Sequence, residues 1–202
     1  IGLNCSFGAA QLRPHLSALS KNADALVMAY PNAGLPNELG CYDEAAEETA
    51  AQVREWLASD RPDAVCLQEI KAKPEQIPEL LFESEGYWCY WHGAGGYSGV
   101  ALHLRKELCA ARPVFGHPAF DLETRIVTAD VGDLTIASVY VPNGGKDYAA
   151  KLRFLEALGA WAGEMRAAGR QLGVAGDVNV ALTDRDVDPQ EVKPGVGGQR
   201  ED

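Results

Sequence analysis

The chain opens with a short apolar strand, Ile1-Gly-Leu-Asn-Cys5, followed by helically spaced apolar positions from about Ala9 to Ser20 and by the apolar run Ala25-Leu-Val-Met-Ala-Tyr30. Strand, helix, strand is the grammar of a βαβ unit, whose strands, covered on both faces, read as unbroken apolar runs. A loop rich in Pro, Asn and Gly spans Pro31 to Gly40. A helix is predicted from about Asp43 to Ala58, with Asp43, Glu44, Glu47 and Glu48 in its first turns. Negative charge there suits the partial positive charge of a helix start.

After Arg61-Pro62 the texture changes. Ala64-Val-Cys-Leu67 reads as a buried strand and Pro78 to Glu85 as a short helix. Several strands then follow with few helices between them: Tyr87 to Trp91, Gly99 to Leu104, Arg125 to Val131 and Leu134 to Val141. The last two alternate in character and meet across Gly132-Asp133, a hairpin signature. A long amphipathic helix is predicted from about Tyr148 to Ala168, and Leu172-Gly-Val-Ala175 as one more buried strand. Antiparallel strands punctuated by helices predict a layered α/β sandwich.

Composition narrows the picture. A hydrophobic fraction of 47% with 23% charged residues is that of a folded, water-soluble chain, and no apolar run approaches a membrane span. The first residues lack the basic start of a signal peptide, so a cytoplasmic protein is expected. Cys5, Cys41, Cys66, Cys89 and Cys109 are odd in number and without CxxC spacing, which indicates neither a disulfide framework nor a zinc knuckle. The net charge of -11 is unusual for a nucleic-acid partner, yet an acidic metal pocket and a local basic rim can share one surface. The chain starts without Met inside a strand and stops in the polar stretch Arg200-Glu-Asp202, which reads as a fragment.

Three segments place polar residues directly after apolar strands. Glu69, in Cys66-Leu-Gln-Glu69, follows a strand too apolar for exposure, so its carboxylate is either paired or holds a hard cation such as Mg²⁺. In Gly176-Asp177-Val-Asn179, an Asp and an Asn two apart on extended backbone point to one side, setting a base beside an amide. Tyr140 and Asn143, in Val139-Tyr-Val-Pro-Asn143, sit at the exit of another strand. Taken singly, each has a structural explanation: a salt bridge, a turn, and a ring packed on its sheet beside a loop-capping amide.

Their joint order is more specific. Leu67-Gln-Glu69, then Gly96-Tyr-Ser-Gly-Val-Ala101, then Tyr140-Val-Pro-Asn143, then Gly176-Asp-Val-Asn179 resembles the signature of the exonuclease III and abasic-endonuclease family, over roughly residues 59 to 202. The resemblance implies an exonuclease III-like four-layer α/β sandwich, here incomplete, and Mg²⁺- or Mn²⁺-dependent hydrolysis of DNA at abasic sites or 3′ ends by a monomer that needs no membrane. It assigns Glu69 to the metal and Tyr140 to the scissile phosphate. Asp177 would orient and deprotonate the attacking water, and Asn179 would position that water or a phosphate oxygen. Gly96, Tyr97, Ser98 and Asn143 would lie along the DNA backbone. The family's Asn-bearing first strand does not precede Glu69, and its Ser-Asp-His segment is absent through Asp202, so weak or no hydrolysis is expected. His15, His92, His103 and His117 fall in unrelated contexts and read as surface or core residues.

Residues 1 to 57 carry a different resemblance. Gly2-Leu-Asn-Cys5 and Tyr30-Pro-Asn-Ala-Gly-Leu-Pro-Asn37 resemble the homocysteine-binding barrel of cobalamin-dependent methionine synthase. This implies a βαβ fragment of a TIM barrel, a domain division at 1–57 and 58–202, and Cys5 as an orphan zinc ligand. Without the family's adjacent cysteine pair, Cys5 falls short of the three protein ligands usual for a catalytic zinc, and zinc is not expected there. The alternatives to a nuclease are thus a homocysteine S-methyltransferase fragment or a non-catalytic chimeric remnant. The first third is expected to pack incompletely on the rest.

Overall fold

The computed structural model describes residues 1–3, 8–31, 46–70, 79–95, 98–145 and 147–181 of the chain. Its elements are β1 (Gly2–Leu3), α1 (Ala9–Asn22), β2 (Met28–Ala29), α2 (Ala46–Glu55), β3 (Ala64–Gln68), α3 (Glu79–Ser84), β4 (Tyr87–His92), β5 (Val100–Arg105), β6 (Phe115–Gly116), β7 (Ile126–Val131), β8 (Leu134–Tyr140), α4 (Tyr148–Ala167) and β9 (Gln171–Asp177). They form two sheets, ordered β1-β2-β3-β5-β4 and β6-β7-β8-β9.

Strand alternation explains the layers. On β3, Ala64 and Cys66 face the second sheet and pack with Leu102, Val127, Ile136 and Ala175. Val65 and Leu67 face the other way, into a core with Leu12 and Leu16 of α1, Val53 of α2, Trp56, and Phe82 of α3. With both faces covered, the strand has no polar position until Gln68. Beyond the second sheet, Ile126, Ala137 and Val139 pack on Phe154, Leu155, Leu158 and Trp161 of α4. The order is helices, sheet, sheet, helix: the four-layer sandwich expected.

The hairpin closes where its signal lies. Val131 pairs with Leu134, and Gly132 adopts φ 59°, a conformation open to glycine at the first turn position. The α4 start is fixed by the Asp147 carboxylate, which accepts from the Ala150 amide at 2.8 Å. Helix α2 runs into one wide turn, Trp56–Asp60, which ends as Arg61 enters left-handed backbone (φ 46°) just before Pro62.

The first third differs from expectation. Its βαβ grammar is present, since β1 pairs with β2 in parallel, but β2 continues in parallel onto β3 within the same open mixed sheet. No barrel results among the described residues, and the described part of residues 1–57 does not pack incompletely. The Val27 amide donates to Asp63 Oδ2 at 2.7 Å, Arg13 pairs with Glu55 and with Asp60, and Leu12, Leu16, Val27 and Ala29 share the core of Val65 and Trp91. An apolar strand edge with a neighbour of the same kind gains by pairing whatever its sequence resembles. Cys5 and the run from Asn32 to Asn37 lie outside the described residues.

Candidate active site

Strands β3, β4, β8 and β9 all end at the same edge of the sandwich, because β3 and β4 both run antiparallel to β5 while β8 and β9 are parallel to each other. The polar residues that follow these apolar strands therefore collect on one rim. Gln68, the last residue of β3, bridges the sheets there: its Nε2 lies 3.2 Å from Ser138 Oγ, which itself reaches the Leu67 carbonyl at 3.4 Å. Close approach at this point requires glycine at 176. A Cβ there would run into the Val139 carbonyl, and Gly176 adopts φ 132°.

Glu69 stands just past β3 at φ 52°, left-handed backbone that turns its side chain out of the strand line. It is exposed, contrary to the burial read from the sequence, because this turn lifts it from the core at the moment the strand ends. The following amide, Ile70, closes the turn on the Gly99 carbonyl at 3.3 Å. Tyr140 Oη donates to Glu69 Oε1 at 2.9 Å. Tyr140 is 7% exposed, so burial, then the hydrogen bond and charge of Glu69, then the charge of Asp177 push its phenol well above its usual value. It is a neutral donor across the working pH range. Arg125 lies over the Tyr140 ring, 5.0 Å from its centroid.

Asp177 pairs in register with Tyr140, and Asn179 follows at φ 49°. The Asn179 amide donates to Asp177 Oδ1 at 2.9 Å, and its side-chain Nδ2 donates to the Val141 carbonyl at 2.8 Å. Burial raises the Asp177 carboxyl, the Asn179 amide opposes this, and the nearby Glu69 charge raises it further. Two carboxylates that repel across a shared rim, with a phenol and amides around them, are the hard oxygen-donor set that a divalent ion such as Mg²⁺ takes. The residues present fit such an ion, with Glu69 as the exposed charged donor and the Asp177 carboxylate beside it.

The structure thus brings Glu69, Tyr140, Asp177 and Asn179 together. Asn143 is exposed beside them in the loop after β8, where its Oδ1 accepts from Gly145 N at 3.0 Å. Ser98 donates to the Glu123 carbonyl at 2.5 Å, while Gly96 and Tyr97 lie outside the described residues. The sequence reading missed Lys151. This helix residue is 1% exposed, and its Nζ donates to the Asn179 carbonyl at 2.5 Å and to the Asn143 carbonyl at 3.5 Å. Burial lowers its pKa against the pull of Asp177, whose own carboxyl the ammonium lowers. A lone Lys on a predicted helix reads as surface charge; only its place one turn into α4, facing β8, marks it.

A family model described as Endonuclease/Exonuclease/phosphatase family matches residues 19–196. The chain is 33% identical over 146 residues to recombination repair protein 1 of Drosophila melanogaster, covering 65% of this chain and 21% of that protein. It is 31% identical over 145 residues to exodeoxyribonuclease III of Haemophilus influenzae, covering 67% and 54%. A 3′-5′ exonuclease from Neisseria meningitidis superposes with a TM-score of 0.63 at 29% identity, over 74% of this chain and 60% of that one. An AP endonuclease from Archaeoglobus fulgidus superposes at 0.57 and 29%, over 67% and 54%. The chain spans about half the length of exodeoxyribonuclease III and about a fifth of the Drosophila protein. None of these relatives is a methyltransferase, and the family match runs from residue 19 straight through position 57, so the methionine synthase resemblance of the first third finds no support. With a match over most of its length, the chain belongs to the endonuclease/exonuclease/phosphatase family.

Proposed function

We propose that this protein is a metal-dependent DNA phosphodiesterase of repair, acting as a cytoplasmic monomer on abasic sites or 3′ ends. The observation that supports it best is the convergence of Glu69, Tyr140, Asp177 and Asn179 on one rim, bound to each other by the Tyr140–Glu69 and Asn179–Asp177 hydrogen bonds. The relatives carry the substrate: exodeoxyribonuclease III and AP endonuclease are names of enzymes acting on DNA.

In this reading Glu69, with Asp177 beside it, holds Mg²⁺ or Mn²⁺, which when bound would supply charge stabilisation to a crowded phosphate. Tyr140, neutral and donating, hydrogen-bonds the scissile phosphate once a phosphate oxygen replaces Glu69 Oε1 as the acceptor of its O–H. Asp177 accepts a proton from the attacking water, a role helped by burial and the Glu69 charge, which raise its carboxyl above the usual value. Asn179 keeps that water in line through its side chain, itself steadied by the Val141 carbonyl. Asn143 and the Gly96-Tyr97-Ser98 loop border the path of the DNA backbone. The division at about residue 57 enters this reading only as a proposed difference in origin, since both parts build one sheet.

The test is incision of an abasic duplex by the purified chain with Mg²⁺, with Mn²⁺ and with chelator. Slow, chelator-sensitive cleavage is expected, and Asp177→Asn should lower it by about 10²–10⁴, the usual worth of a general base. Because the base works deprotonated and its carboxyl is raised, the rate should fall on acidification from a point above the ordinary carboxylate range. Cleavage indifferent to chelator, or unchanged in Asp177→Asn, would overturn the assignment.

A further inference from the structure

At the same end of the sandwich, outside the residues just described, three potential ligands meet. His92 ends β4, and His117 and Asp121 lie on the segment between β6 and β7; one donor atom from each falls within 4.8 Å of the others. His92 Nε2 is buried and faces Asp121 Oδ2 at 3.2 Å, so the imidazole and the carboxylate already meet.

Asp121 is built to stay in place. It is 6% exposed, and its carboxylate receives the amides of Glu123, Arg125 and Ile126 at 2.9 to 3.3 Å. Metal-binding carboxylates are commonly fixed by such outer hydrogen bonds. The rings of His92 and His117 stack at 4.4 Å with planes 19° apart, which brings both imidazoles to the Asp121 carboxylate. Stacked rings aim their lone pairs side by side, so His117 must swing to converge on an ion. It is exposed and has the room to do so. A carboxylate and two imidazoles are the donor set of a first-row transition metal rather than of Mg²⁺, with ligand distances of about 2.0–2.2 Å for zinc.

We propose that His92, His117 and Asp121 bind a transition-metal ion of the zinc type, which staples the end of β4 to the 117–125 segment. That segment carries Arg125, which covers the Tyr140 ring, and Glu123 and Thr124, on which Ser98 rests at 2.5 and 3.1 Å. The ion would therefore stiffen the wall behind the rim from a separate position. This inference stands on its own ligands and not on the nuclease reading.

The experiment is calorimetric titration of the metal-stripped chain with Zn²⁺ in excess Mg²⁺, which fills sites made only of oxygen, together with the visible absorption of the Co²⁺ form. One ion per chain is expected, with a rise in melting temperature as ion bound to the native state stabilises it. His117→Ala, at an exposed position, should weaken binding at least about tenfold, since loss of even an outer-shell partner costs that much, and should bleach the Co²⁺ bands. His15→Ala, exposed on α1, should change neither. Binding that survives unchanged in His117→Ala places the ion elsewhere and overturns the proposal. So does the absence of any saturable Zn²⁺ uptake, or an equal loss in His15→Ala.

Discussion

Strand β3 carries a carboxylate at each end, and the two are treated oppositely. Before the strand, Asp63 is 8% exposed, accepts the Val27 amide at 2.7 Å on one oxygen and is ion-paired to Arg105 on the other. Arg105 in turn donates to the Arg61 carbonyl at 3.0 Å, beside a cavity of about 400 Å³ lined by Ser20, Asp24, Arg61 and Asp63. After the strand, Glu69 is exposed on left-handed backbone and accepts a phenol. The first carboxylate is consumed in joining β2, β3 and β5. The second is presented. Backbone held in a sparsely populated region, as at Glu69 and Asn179, costs about 1–3 kcal/mol per residue and gathers where a site requires it.

If that contrast is right, the two ends should answer differently to the loss of charge. Asp63→Ala should cost about 3 kcal/mol of stability, the low end for breaking a buried pair because the Arg105 side chain is 27% exposed. Glu69→Gln should shift stability by less than about 0.5 kcal/mol while removing metal-dependent cleavage. Urea midpoints of both variants decide it; equal losses would erase the distinction.

Lys151 sharpens the comparison on the open side, since it is a buried cation spent on carbonyls rather than on a carboxylate. Lys151→Met leaves the Asn179 and Asn143 carbonyls short of a donor, at about 1–3 kcal/mol. It also removes the ammonium that lowers the Asp177 carboxyl, so the acidic limb of the pH–rate profile should move to higher pH. A destabilised variant whose limb stays in place would reduce Lys151 to a structural role.

Much of this was legible beforehand. The apolar run of β3, the Gly132 hairpin and the span of α4 follow from local pattern, since each depends on periodicity or on one turn residue; β9 is a strand as read but not the buried one expected, since only Ala175 is enclosed and Val174 is exposed. Glu69, Asp177 and Asn179 were legible through their order along the chain. What escaped depended on distant partners. The parallel seating of β2 on β3 is decided by Asp63 and a shared core, not by the sequence of β2 itself. Strand β6 has two residues and no period to read. Lys151 looks like any helix lysine, and His92, His117 and Asp121 meet only when two segments fold together. The methionine synthase resemblance failed for a related reason: a short run can be unusual without governing the sheet that receives its neighbours.

One interior residue has an environmental consequence. His103 is fully enclosed against Phe82 and Trp91, and among the described residues neither ring nitrogen has a hydrogen-bond partner. Burial pushes its pKa down to about 3, against about 6.5 for the unfolded chain. A depressed pKa gives stability that is intact above the unfolded value and drains away as pH falls toward the folded one. At about pH 5.5 the unfolded state is already favoured by on the order of 1 kcal/mol relative to neutrality through this group alone. Melting temperature followed against pH should show that slope, and His103→Leu should flatten it. Mild acid thus acts on this protein as a solvent for its first core, drawing the imidazole outward while ordinary carboxylates are still ionised, so purification and storage belong above about pH 7.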